Sequence, residues 1–448
     1  MIDVLADVVR EVEKLEARMS LRDYFRLFVL LISLPAAPMT QAAWLDAADA
    51  SALSALEVGD THAVDRAPLG DGLIGEMVFE RIPLYAPGAE ISVIRNGVRT
   101  LGQSSGRHFL VGRARARSGV IAALIHDPVN ATWTGSLRGP GGLEVMRFYP
   151  ERGGMRWRAY ELDVLMPDDA HIDSACQNQQ LNHEQRLPVD LPAGISTVRP
   201  RSSSLRLGQL GVDTDAEWLE RRFDDNENDA IAWIEDLMLV TNSIFESDLD
   251  FRMQLGELIV RVGNDPYEED SSPAGQAALV EFGDYWSANK GHIDRTHAAL
   301  ISGRSSAENS ASGIAWVDSY CQTQSWGGSY SVNQLFYGDW VPVESSARLF
   351  AHELGHNLGS VHTHCYNPPI DQCWADESGC YSGPTSCPAE GSGTLMSYCN
   401  RGACGDFVQN RLELAPEVAG FLDGRIDDNM PGCIVEDADH IIFHDRFQ

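Results

Sequence analysis

The chain has 448 residues, 34 basic against 65 acidic side chains, and a formal net charge of -31. That length exceeds one typical core and predicts two globular units, and a charge of that sign repels a phosphate backbone, which argues against nucleic acid as a partner. A hydrophobic content of 44% with ten tryptophans excludes disorder throughout.

Residues 1–43 read as a leader. Arg22 and Arg26 precede the apolar run Leu27–Leu34 and the small residues Ala42 and Ala43, the pattern of an export signal with its cleavage site; the alternative is a buried core helix. The run is too short to span a bilayer comfortably, so no stable membrane span is expected after leader removal. An amphipathic stretch, MIDVLADVVREVEKLEAR, lengthens the signal, and Met19 is the expected true start. Export predicts a secreted protein in an oxidising environment, where cysteines pair. Eight of the nine cysteines lie in the last third (Cys321, Cys365, Cys373, Cys380, Cys387, Cys399, Cys404 and Cys433), and Cys176 stands alone.

Residues 44–188 carry short strand-like runs, EISVIRNGV, HFLVGRARA, GVIAALIHD and MRWRAYELDVLM, separated by Gly-rich turns, which predicts a β-rich domain. Residues 189–207, rich in Pro, Ser and Arg without a period, read as an exposed linker in which Arg199, Arg201 and Arg206 are candidate cleavage points. Beyond it the period changes. DAEWLERRF, NDAIAWIEDLMLVTNSIFESDL and AGQAALVEFGDYWSANK have helical spacing, and FRMQLGELIVRV, HAALISG, GIAWVDSYC and YSVNQLF read as strands. From Cys365 to Cys404 regular periodicity gives way to Gly, Pro, Ser and Cys, and FVQNRLELAPEVAGFL resumes helical spacing. Residues 208–433 therefore predict an α/β domain, a mixed twisted sheet with a loop-rich, disulfide-stapled lower part. Residues 434–448 form a tail or a final strand.

The densest chemistry is FAHELGHNLGSVHTHC, residues 350–365. His352 and His356, four apart on a helix, face the same way. His362 can join them only if the chain turns sharply, and Gly359 stands where a left-handed residue is needed. HExxHxxGxxH thus describes three neutral nitrogen donors for one Zn²⁺ with a fourth position open to water, and Glu353 beside them as general base and acid. The competing reading is an ordinary helix whose histidines bond solvent or neighbours. Paired CxxC units are missing from the eight distal cysteines, which favours four disulfides over a second zinc cluster.

These residues resemble the metzincin metallopeptidases, whose long zinc motif is completed downstream by a methionine turn. Met396 in GTLMSYC fits that turn; alone it would read as core filler. HELGHNLG, GIAWVDSYC and VDTDAEWLERRF are similar to the helix, the substrate-binding edge strand and the opening segment of the adamalysin (reprolysin) branch, in a secreted bacterial form. The resemblance spans about Leu210 to Cys433 and makes 44–188 a pro-region. It implies a zinc endopeptidase made as a zymogen and acting on protein or peptide substrates. It also implies an edge strand at Gly313, Ile314, Ala315, Trp316 and Val317, and a cystine between Cys321 and Cys404. Calcium is compatible with the branch, but the acidic residues are too numerous to choose ligands.

Adamalysins place Asp after the third histidine, where this chain has Thr363 and then His364. His364 reads as a side chain beside or away from the site rather than a substitute ligand. Tyr398 stands where astacins and serralysins keep a zinc-associated tyrosine, a candidate oxyanion stabiliser; the plain alternative is a packed tyrosine. Cys176 is a candidate zinc-blocking cysteine of a latent precursor, or else a buried unpaired thiol. The rival function from another class is a non-catalytic secreted module that holds zinc for structure.

Overall fold

A computed structural model describes residues 43–441 except 71, 118, 140–141, 152, 162–174, 177–187, 193–203, 270–273, 305–310, 336–341 and 406–407. Residues 1–42 of the expected leader, with Met19, and the candidate cleavage points Arg199 and Arg201 lie outside the described residues. Residues 43 onward make one compact unit.

The N-terminal part runs β1 (Ala43–Asp46), α1 (Ala47–Ser54), β2 (Thr61–Pro68), β3 (Ile74–Arg81), β4 (Tyr85–Arg95), β5 (Val98–Leu101), β6 (His108–Ala114), β7 (Ile121–Asp127), β8 (Thr132–Gly139), β9 (Gly142–Glu151) and β10 (Gly154–Glu161). Two short pieces follow, β11 (Ala175–Cys176) and β12 (Val189–Asp190). Then come β13 (Ser204–Thr214), α2 (Ala216–Phe223), α3 (Glu227–Leu249), β14 (Phe251–Val262), α4 (Gln276–Lys290), β15 (His297–Ser302), β16 (Ala311–Ala315), β17 (Tyr330–Gln334) and α5 (Val343–Asn357). The chain closes with β18 (Tyr366–Asn367), α6 (Pro416–Asp427) and β19 (Ile434–Ile441).

Eight strands form an antiparallel sheet in the order β1-β10-β9-β8-β7-β6-β3-β2. Its middle is buried on both faces, which is why GVIAALIHD reads as an unbroken apolar run. Ile121, Ala123 and Ile125 enter the main core while Ala122 and Leu124 enter a second core beneath α1. The other large sheet has the order β11-β16-β17-β15-β13-β14-β4-β5, with β19 antiparallel to the start of β13. Here β13, β14, β15 and β17 are mutually parallel and β16 is antiparallel to β17. EISVIRNGV is thus not part of the antiparallel sheet. As β4 it pairs in parallel with β14, and Asn96-Gly97, both at positive φ, turn it into β5.

Helix α3 packs between the sheets, against β14 on one side and β7 and β8 on the other, with α5 alongside. Asn226 caps its start by accepting from the Asn228 and Asp229 amides, and Asp250 ends it in the left-handed conformation.

Three sequence expectations are corrected. Arg206 is not an exposed linker residue: β13 begins at Ser204, and Arg206 is 2% exposed, ion-paired to Asp423 and Asp427. Helical spacing over FVQNRLELAPEVAGFL yields a helix only from Pro416, where proline suits the first turn. Cys321 pairs with Cys433 and Cys404 with Cys387; the other bridges are Cys365–Cys380 and Cys373–Cys399. All eight distal cysteines are thereby used as cystines, and the tail forms strand β19 as far as Ile441.

Candidate active site

Helix α5 is buried along nearly its whole length between α3 and the β16–β17 pair. His352 and His356 project from one face, their Nε2 atoms 3.0 Å apart. Each Nδ1 lies 2.7 Å from a carbonyl oxygen, of Leu395 and Ser360 respectively. A carbonyl can only accept, so both Nδ1 atoms carry the hydrogen and both Nε2 atoms present lone pairs. Two lone pairs facing each other at that distance repel unless a cation lies between them. Burial, then the neighbouring imidazoles, disfavours the charged rings: His352 is pushed down to about 3 and His356 well below its ordinary range.

The helix ends at Asn357 and the chain turns at Gly359, whose φ of 120° is reserved for glycine, with its amide donating to the His356 carbonyl. The turn returns His362 to the cluster, its ring centroid 4.8 Å from that of His356 and 5.4 Å from that of His352. Nε2 of His362 is buried with no hydrogen-bond partner. The ligating atoms of the three histidines lie within 4.8 Å of one another. Three converging imidazole nitrogens, one of them orphaned, are a donor set suited to Zn²⁺.

Met396 lies under this turn of helix. A Cβ at Gly355, between the two helical histidines, would come within 2.7 Å of its sulfur, so glycine is what allows the close approach. The Thr363 amide donates to the Met396 carbonyl at 3.0 Å, tying the turn to the third histidine. Tyr398 is also brought in, its ring centroid 4.1 Å from that of His362.

Glu353 is fully buried and points towards β16. A Cβ at Gly313 would lie 2.4 Å from its Oε1. Gly313, Ile314 and Ala315 are within β16, whereas Trp316 and Val317 lie past its end, which corrects the expected strand by two residues. The outer side of β16 is taken by β11, which pairs in parallel with Ala175 opposite Ala311 and Cys176 opposite Gly313. The Cys176 side chain lies outside what is described.

Two contributors escaped the sequence reading. Asn357 donates through Nδ2 to the carbonyls of Trp316 and Tyr330 at 2.8 and 3.0 Å, fixing the end of α5 to the β16–β17 ribbon; its only signal was a polar residue directly after the second histidine. Glu377 carries a single oxygen, Oε2, that accepts from His362 Nδ1 at 2.8 Å and His364 Nε2 at 2.9 Å. Burial alone would raise the Glu377 carboxyl, but the two imidazoles outweigh it and hold it well below the usual carboxylate range. His364 therefore stands behind His362, fully buried and not at the surface. No sequence pattern marked Glu377, which sits in the loop closed by Cys365–Cys380.

A buried three-histidine cluster with a buried carboxylate next to the first histidine thus lies against β16. Residues 206–409 match Reprolysin_5, metallo-peptidase family M12. The match makes the protein a metalloendopeptidase, and the family matched implies zinc. No curated protein matches the chain. Among solved structures it is similar to metalloproteinase-II from Bacteroides fragilis, at 11% identity and a TM-score of 0.35, over 71% of this chain and 87% of that one.

Proposed function

We propose that the protein is a secreted zinc endopeptidase made as a latent precursor, with His352, His356 and His362 holding the ion and Glu353 serving as general base and acid. The observation that carries this reading is the convergence of three buried imidazole lone pairs one residue away from a buried carboxylate. Bound there, zinc supplies Lewis acidity and makes water a stronger acid. Glu353 takes the proton of the attacking water and returns it to the leaving amine. Gly313 leaves room for that carboxylate, and β16 offers backbone groups to an extended substrate. Met396 supports the helix from below, and Tyr398, whose ring lies against His362, is the proposed donor to the developing oxyanion.

Latency is supported by β11. A strand paired to the outer side of β16 occupies the place where a substrate would add, and Cys176 stands in register with Gly313, the residue facing Glu353. Residues 44–188 act as pro-region, cleavage within 193–203 breaks their peptide link to the catalytic part beginning at β13, and a Cys176 thiolate would be the group to hold the precursor latent as a zinc ligand. Export is supported by the four cystines. Nothing in the described residues supports calcium.

A structural zinc module would need no base. Replacing Glu353 by Gln and measuring zinc content together with peptide hydrolysis, with and without chelator, separates the two readings. Zinc retained with turnover abolished is expected; equal turnover in the pure variant removes Glu353 from the mechanism.

A further inference from the structure

We infer that residues 43–161 are a permanent, non-covalently held subunit of the peptidase, and that cutting the chain between β12 and β13 does not release them. The partner of the surface in question is the chain's own N-terminal half, and three independent features of the seam require it.

The first is backbone. β4 pairs with β14 at Tyr85–Leu255 and then continuously from Glu90–Glu257 to Arg95–Val262. β14 is a twelve-residue strand buried along almost its entire length. Removing β4 would leave it as a long, flat, apolar edge of unpaired amides and carbonyls, a form that stable proteins avoid.

The second is charge. Helix α3 carries six acidic residues and no basic one, and arginines of the first half meet it. Arg138 grips Asp248 with both carboxylate oxygens, at 2.8 and 2.9 Å, and also donates to the Ile244 carbonyl at 3.2 Å. Arg107 pairs with Asp236 at 2.8 Å and donates to the Ala232 carbonyl. Arg113 pairs with Glu246, and the Tyr85 hydroxyl donates to Glu235 at 2.7 Å. The side chains of Glu235 and Glu246 are fully buried here, and Glu246 is also held by Arg252 of β14. Charge-assisted, largely buried pairs of this kind fix the register of the two halves, and removing one member while the seam stays closed would strand the other charge.

The third is packing. Leu84, Val93, Phe109, Val111, Ile125 and Val145 belong to the same continuous core as α3, β14 and α5, the helix that bears the candidate zinc ligands. Departure of the N-terminal half would expose that core to water. Among the described residues, all four cystines join positions within 321–433, so none ties the halves together.

The test uses the full chain carrying Glu353→Gln, to prevent self-digestion, and a site-specific protease sequence placed within residues 193–203. After the cut, gel filtration and native mass spectrometry without denaturant should show both fragments as one species with the mass of the uncut chain, and denaturant without reductant should separate them. Amide exchange along β14 should be as slow in the cut as in the uncut protein. Two separate peaks from the cut chain, or β14 amides that exchange freely after the cut, overturn the proposal. Reversing Arg107 and Arg138 to Glu should let the cut fragments part in native buffer; fragments that stay together as tightly as before remove the arginine contacts from the seam. None of these readouts depends on zinc or turnover, so failure here and failure of the peptidase reading are distinguishable.

Discussion

Oε2 of Glu377 accepts a hydrogen bond from Nδ1 of His362 at 2.8 Å, and the same oxygen holds His364 at 2.9 Å. The bond fixes which nitrogen of His362 carries hydrogen and so which one carries the lone pair. Glu377→Ala should bind zinc about 10- to 100-fold more weakly, the range found when such a supporting carboxylate is lost. Competition with a coloured chelator measures it, and the absorption of the cobalt-loaded protein reports whether the donor set has changed. Glu377→Gln, whose one amide oxygen can still serve a single ring, should fall between. Unchanged affinity in the alanine variant would show that the carboxylate only props the loop.

Gly313 and Glu353 make a second coupled pair. An added methyl at Gly313 would meet Oε1 of Glu353 at 2.4 Å, so Gly313→Ala must displace either the strand or the base. Hydrolysis should drop by about 10²-fold or more, in keeping with loss of a positioned acid–base group, while zinc content stays at the wild-type level. Steady-state kinetics beside metal analysis gives the answer; a variant with normal kcat would mean that the carboxylate has slack.

How far the site could be read from sequence follows from the range of the interactions. His352, Glu353 and His356 share one helical turn, and Gly359 supplies the backbone sign that returns His362, so local periodicity places all of them. Glu377 works across a loop with no periodicity, and only the fold brings it to His362. Arg206 looked exposed because its partners, Asp423 and Asp427, are more than two hundred residues away in sequence. The pairing of Cys321 was carried over from a family pattern, but eight cysteines allow 105 connectivities and spacing does not choose among them. EISVIRNGV was legible as a strand; that it joins β14 rather than its sequence neighbours is a tertiary choice between two sheets, to which alternation of side chains is blind.

Glu344 begins α5 deep in the seam between that helix and the N-terminal sheet, in a cavity of about 260 Å³ also lined by Arg147, Arg222 and Asp236. Burial pushes its carboxyl up to about 7, against a hydrogen bond with its own backbone amide and the field of Arg147, and burial lifts Asp236 to about 6. Both shifts are upward, so the folded state prefers the protonated acids. Their contribution is fully present below the ordinary carboxylate pKa and is lost as pH rises through 6 to 7. Unfolding by urea should therefore show the protein losing stability between pH 5 and pH 8. Glu344→Gln, which cannot ionise, should flatten that loss by an amount on the order of 2 kcal/mol. A variant with the same pH slope as wild type would place the titrating group elsewhere.

The Cys365–Cys380 bridge closes a loop of 15 residues that has little regular structure and carries Glu377 to His362. Joining ends that far apart restricts the unfolded chain by about 3 kcal/mol in the loop-entropy account. Replacing both cysteines by serine should cost a stability of that order in denaturant melts of the zinc-free protein. The same change should weaken zinc binding, because Glu377 loses its anchor while every ligand is retained. Cys387–Cys404 closes a loop of similar length, 17 residues, which reaches the histidines through the Leu395 carbonyl and Tyr398, but that stretch stays anchored by Cys373–Cys399 and by the Leu395 amide on the Glu413 carbonyl when the bridge is removed. Its double-serine variant should lose comparable stability with a much smaller change in zinc affinity. Equal effects of the two variants on zinc would mean that the loops act on the site only through global unfolding, and the specific link from Cys380 through Glu377 to His362 would be withdrawn.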